Sequence, residues 1–222
     1  MAYRWNFGPV FENADVLLAG AIGTLRLFAI CLVIGMSLGL FVGLARYAHA
    51  RWLRLPATAF VEFFRNTPVL VQIIWFYYAF PILMPFDIGP LTAAALGISL
   101  NSAAFSAEIY RGGIQSIERG QWEAARALGM TPAQVMRRIV LPQALRRMLP
   151  ALTNRGIEVF KMTTLASAVA YVELLQQGKL LASLNFNPIE TYTVIAAVFF
   201  LCLFPLVQAT YALERWLERS DR

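Results

Sequence analysis

Polar and ionisable side chains stand inside long apolar stretches of this chain: Glu62, Arg65, Asn101, Ser102, Glu108 and Lys161. A charge at the centre of a bilayer costs about 3 kcal/mol on insertion scales, so such groups face a bundle interior or a watery path. Their chemistry is binding rather than bond-making. Lys161 lies deep in an apolar run and can hold a carboxylate, although Glu158, three residues earlier, can pair with it instead. Glu62 with Arg65, and Glu108 with Arg111, have the same spacing of three and can form ion pairs on one helix face. Asn101 and Ser102 lie mid-run, where they either bridge helices or touch a cargo. No catalytic set accompanies them. His49 is the one histidine, and Cys31 and Cys202 both sit in apolar runs where buried packing is expected, so there is no metal site. No G-x-x-x-x-G-K-[ST] loop occurs, so the chain carries no ATP site of that type and no cofactor of its own.

The elements that must position these groups follow from composition. Of 222 residues, 59% are hydrophobic and 14% charged, against about 25% charged in a soluble domain. Membrane lipid is the solvent that suits such a chain. Five spans are expected, near 27–45, 58–80, 91–110, 149–172 and 191–213. The fourth is the weakest because it holds Asn154, Arg155, Glu158 and Lys161. In the first, Gly35, Gly39 and Gly43 recur every fourth residue, which lets a second helix approach closely. The net charge of +6 does not mark a nucleic-acid binder, because the arginines gather between apolar runs. They cluster after span 1 (Arg46, Arg51, Arg54), after span 3 (Arg111 to Arg147) and in the tail (Arg215, Arg219, Arg222). The positive-inside rule therefore puts the N-terminus outside and the C-terminus in the cytoplasm.

The cytoplasmic stretch 121–137 is too regular for a loop. Glu123 to Leu128 is strongly helix-forming, and Gly129 can end the helix. Thr131, Pro132 and Gln134 then spell an N-cap, a first helical position and a capping box. Pro142 is expected to interrupt the second helix. Glu123, Ala124, Ala125, then Gly129, then Ile139, Leu141 and Pro142 match, at every fixed position and gap, the cytoplasmic signature of binding-protein-dependent importers. The chain resembles the permease subunits of bacterial ABC importers. Glu62 to Pro68 with Gln72, and Ala107 to Ile114 with Gly120-Gln121, are similar to the polar amino acid uptake family. Trp5 to Gly8 and Gln177 to Leu181 are similar to the glutamate/aspartate importers within it. Lys161-Met162-Thr163-Thr164 departs from the Lys-Asp-Thr or Lys-Asn-Ser of many relatives.

This resemblance implies an all-α integral membrane protein: a single transmembrane domain over 1–222, a bundle of five transmembrane helices with a cytoplasmic coupling helix, of the ABC type I importer kind. It implies that the chain is not an enzyme. ATP would be used by separate ABC ATPase subunits docked on the coupling helix. A second permease, the same chain or a similar one, would complete the path, and an extracytoplasmic amino acid-binding protein would deliver the cargo. Such a protein lies in the bacterial inner membrane among its lipids. The competing reading is an ion-coupled secondary transporter, which ordinarily shows internal repeats. No repeat is evident here, and five spans do not split into halves.

Overall fold

A computed structural model of the chain describes residues 3–84 and 87–220, with side chains as far as Leu217. Arg222 of the charged tail lies outside the described residues, and so does the side chain of Arg219. The described chain is all helix and turn. It runs α1 (Gly8–Glu12), α2 (Ala14–Tyr47), α3 (Arg51–Asn66), α4 (Val69–Ile74), α5 (Phe80–Leu83), α6 (Pro90–Gln115), α7 (Arg119–Ala127), α8 (Pro132–Val135), α9 (Leu141–Met162), α10 (Leu174–Asn185) and α11 (Pro188–Ser220). Single π turns join α4 to α5 (Trp75–Ala79) and α8 to α9 (Met136–Val140), and a 3-10 stretch, Thr163–Val169, follows α9.

Among the described residues, two helices are long and apolar enough to cross a membrane, Ala14–Tyr47 and Pro188–Leu217. The broken pair Arg51–Asn66 and Val69–Leu83 supplies a third if it counts as one span. Several sequence boundaries change. The expected first span, 27–45, lies inside a longer helix, because α2 runs unbroken from Ala14 to Tyr47. Arg26 is exposed on that helix, and a charge alone does not stop a helix. The second span is not continuous over 58–80. It breaks at Thr67–Pro68, where Pro68 is extended (φ −60°, ψ 132°), since proline lacks the N–H and crowds the residue before it. The polar segment 173–190 holds a further helix, α10. Pro142 does not interrupt α9. The π turn before it shifts the hydrogen-bond register, so the missing N–H falls where the helix can do without it. Cys202 is exposed rather than buried, whereas Cys31 is buried; an outward apolar face is one that lipid covers.

The chain divides into two compact units. The first comprises Met1–Val33, Thr67–Ser99 and Ile157–Gln208. Its main core is Leu27, Cys31, Ile73, Ala94, Ile98, Val159, Ala166 and Val169, and a smaller one joins Val10 and Leu17 to Leu174, Leu181 and Ile195. Glycine sets one close contact there: a Cβ on Gly97 would lie 2.7 Å from Ile73 Cγ1. The second unit comprises Ile34–Asn66, Leu100–Gly156 and Ala209–Arg222. Its core joins Ile114 and Ile117 to Ala125, Val135, Val140, Ala144 and Met148. Here Gly39 and Gly43 meet α6 as their spacing predicts. A Cβ on Gly39 would stand 2.6 Å from Ser106 Cβ and 2.8 Å from Ala103 O.

Candidate functional site

The turn between α7 and α8 is built from capping chemistry. Gly129 sits at φ +75°, the left-handed region that favours glycine. Its N–H donates to Arg126 O at 2.9 Å, and Met130 N–H donates to Ala125 O at 3.2 Å. That pair of bonds is the Schellman closure of a helix C-terminus. Two residues on, Thr131 N–H donates to Gln134 Oε1 at 2.8 Å, and Gln134 N–H to Thr131 Oγ1 at 3.4 Å. The capping box therefore forms as its sequence implies.

The signature residues divide by exposure. Ala125 is 4% exposed and packs inside the second unit, while Ala124 and Glu123 face outward. Gly120, Ala124 and Ala127 share the exposed face of α7 and leave it thin. Ile139 packs at the edge of the same core, and Leu141 and Pro142 are exposed. Beside α7 lies a cavity of about 530 Å³ lined by Tyr47, His49, Arg119, Trp122, Glu123, Arg126, Pro132 and Met136.

The ionisable groups of the second unit converge on Glu108. Its carboxylate meets the guanidinium of Arg46, that of Arg111 at 2.6 Å and that of Arg65 at 3.9 Å. The spacing-of-three pair Glu108–Arg111 thus forms. Arg65 turns to Glu108 rather than to Glu62, and Glu62 instead accepts from Asn66 Nδ2 at 3.2 Å. Phe105 lies between two arginines, with Arg65 5.1 Å and Arg155 4.5 Å from its ring centre. Such cation–π contacts gain strength where water is excluded. Asn101 is spent at both ends of its amide: Nδ2 donates to Phe64 O at 2.8 Å, and Oδ1 accepts from Arg155 Nη2 at 2.8 Å. Ser102 is fully buried. Asn101 thus bridges helices, whereas the Ser102 hydroxyl has no hydrogen-bond partner among the described residues. Sequence reasoning missed Phe105 and the part of Arg46. The only sequence trace is that Asn101, Phe105 and Glu108 fall four and three residues apart on one helix face.

In the first unit Lys161 is exposed near the end of α9, one turn beyond exposed Glu158. Thr163 Oγ1 donates to Phe160 O and Thr164 Oγ1 to Lys161 O, at 2.7 and 2.8 Å, so both hydroxyls are occupied by the backbone. Another carboxylate, Glu173, is wholly buried at the N-cap of α10. It accepts from Leu175 N at 2.9 Å and Gln176 N at 2.6 Å. Burial pushes its pKa up to about 7, against the pull of those amides and of Lys179. Among the described residues no cluster of histidine, cysteine or carboxylates could hold a metal.

A helical membrane chain with a short, capped helix at α7 has the build of an importer's permease. The solved amino acid ABC transporter described as crystallised with histidines shares this fold with a TM-score of 0.90, at 33% identity over 96% of this chain and 99% of that one. The chain belongs to the family described as binding-protein-dependent transport system inner membrane component, whose model matches residues 18–220. Permeases of this kind are not enzymes, and the ATPase is a separate subunit. The chain is 37% identical over 197 residues to the probable amino-acid ABC transporter permease protein YckA of Bacillus subtilis (strain 168), covering 89% of this chain and 87% of that one. It is 35% identical over 218 residues to the glutamine transport system permease protein GlnP of Escherichia coli (strain K12), covering 97% and 98%.

Proposed function

We propose that this chain forms the translocation path of an ATP-driven importer for a polar amino acid, with glutamate or aspartate as the narrower assignment. The observation that carries the proposal is α7. Its exposed Gly120–Ala124–Ala127 face is narrow enough to enter a groove, and its buried Ala125 ties any push on the helix to the core of the second unit. Glu123, Ala124, Ala125 and Gly129 are the coupling residues, with Ile139, Leu141 and Pro142 setting the return to the membrane. ABC ATPase subunits dock there and use the ATP. A second permease, self or similar, and an extracytoplasmic binding protein complete the importer. Five spans with the N-terminus outside account for the arginine distribution.

Exposed Lys161 supports an amino acid cargo, because its ammonium can meet a carboxylate in the path. Glu62, Arg65 and Glu108 fit a gating or structural network better than cargo binding, Asn101 is held by Phe64 and Arg155, and Ser102 remains a substrate-path candidate. The names of the relatives, an amino-acid permease and a glutamine permease, support the polar class.

The test is uptake into vesicles holding this chain with its ATPase subunits and binding protein. ATP-dependent accumulation of glutamate, aspartate or glutamine is expected. Uptake by this chain alone, driven by an ion gradient and indifferent to ATP, is the result of a secondary transporter and overturns the proposal.

A further inference from the structure

We propose that Arg146 and Arg147, at the cytoplasmic start of α9, form a binding site for the phosphate of an anionic phospholipid. With Pro142 and Gln143 they line a cavity of about 510 Å³. Arg147 is oriented by Ser116, to whose backbone oxygen its Nη1 donates, with Ser116 Oγ at 3.5 Å. Gln143 is turned to its own helix, Nε2 donating to Ile139 O at 3.0 Å. Among the described residues no carboxylate pairs with either arginine. Two adjacent guanidinium groups without a counter-charge attract an anion, and their planar forks match the oxygens of a phosphate better than a point charge would.

The neighbouring face of the helix says which anion. Leu141, Leu145 and Leu149 recur every four residues and are 40%, 46% and 36% exposed. They form an apolar ridge that starts before the arginines and runs past them into the expected fourth span. Leu149 lies three residues beyond Arg146, a rise of about 4.5 Å. The arginines therefore stand at headgroup depth, with an acyl-chain surface beside them. Basic pockets at the cytoplasmic ends of membrane helices take anionic headgroups on this principle, and the arginine stems cover apolar surface while their heads reach the phosphate. A soluble phosphate would use the arginines but not the ridge. A carboxylate from a docked protein would likewise use the arginines but not Leu145 and Leu149, which run into the expected fourth span.

The experiment uses the full chain in nanodiscs of phosphatidylcholine with a minority of phosphatidylglycerol. Lipid retained through delipidation is counted by native mass spectrometry. Wild type is expected to retain phosphatidylglycerol in preference to phosphatidylcholine. R146Q is expected to weaken that retention about fivefold, the effect of one surface charge, whereas R54Q on α3 leaves it unchanged. Glycerol phosphate at equal concentration is expected not to compete. Four results overturn the site: equal retention of both lipids by wild type, equal loss in R54Q, displacement by glycerol phosphate, or a photo-cross-linker at position 145 that captures a protein in place of lipid. The first comparison needs no variant, so a folding failure of R146Q leaves the inference exposed to it.

Discussion

Arg155 Nη2 donates to Asn101 Oδ1 at 2.8 Å, and Arg155 is 3% exposed. A guanidinium this deep is tolerable only while acceptors and aromatic faces surround it. Asn101 supplies an acceptor and Phe105 a ring face, both from α6. Asn101→Leu keeps the branched shape but removes the acceptor for Arg155 and the donor to Phe64 O. It should lower stability by about 1–3 kcal/mol, the range for an unmet buried polar group. Asn101→Leu with Arg155→Leu should recover part of that loss, because the charge goes with its partner. Thermal unfolding in detergent reads both. A single variant as stable as wild type would remove this pair from the framework of the second unit.

Glu173 predicts a pH dependence with a definite sign. Its folded pKa of about 7 lies above the ordinary 4.5. The folded protein therefore holds the proton more tightly than the unfolded chain between those values. Stability is fully present below about pH 4.5 and declines as pH rises through 7. Glu173→Gln keeps an acceptor for the α10 cap and removes the titration. Melting temperatures across that window should fall less in the variant than in wild type. Parallel pH profiles would mean the buried carboxyl does not titrate there.

The two signature alanines should behave differently. Ala125 is buried among Ile114, Val135 and Met148, so Ala125→Leu overpacks the core and should cost about 1–3 kcal/mol. Ala124 is exposed, so Ala124→Leu should change stability by no more than about 0.5 kcal/mol. It should still weaken association with the ATPase, because it thickens the face offered to the groove. Melting and co-purification measured on the same variants separate the two effects. Loss of stability in Ala124→Leu would place that face inside the fold.

Local rules carried far in this sequence. Thr131, Pro132 and Gln134 fold as capping chemistry demands because all the interacting atoms lie within four residues. Gly129 is legible for the same reason. The apolar runs announced helices, but their ends did not follow from charge. Arg26 sits comfortably on α2, since helix formation is governed by backbone bonds and not by a single ionised side chain. The break at Thr67–Pro68 was readable from Pro68, yet hydropathy alone runs across it. The Glu108 cluster was half legible: Arg111 is a near neighbour in sequence, whereas Arg46 and Arg65 reach it from α2 and α3. No pattern within one chain states which helices meet. The signature from Glu123 to Pro142 was legible as a family mark, because its value lies in fixed gaps that composition does not supply.

Gly39 and Gly129 are needed for opposite reasons, and their variants should fail differently. A Cβ on Gly39 would meet Ser106 Cβ at 2.6 Å and backbone Ala103 O at 2.8 Å. The obstacle is space, so Gly39→Ala should already destabilise and Gly39→Leu should destabilise more. Around Gly129 nothing lies within 4 Å, but φ is +75°. The obstacle there is the backbone, which costs an L-residue about 1–2 kcal/mol. Gly129→Asn, tolerant of that region, should cost less than Gly129→Ala, and Gly129→Val should cost most. Size therefore governs the first series and backbone tolerance the second. Unfolding of the five variants in one detergent gives both orders. Asparagine no better than alanine at 129 would show that the left-handed turn does not hold α7 in place.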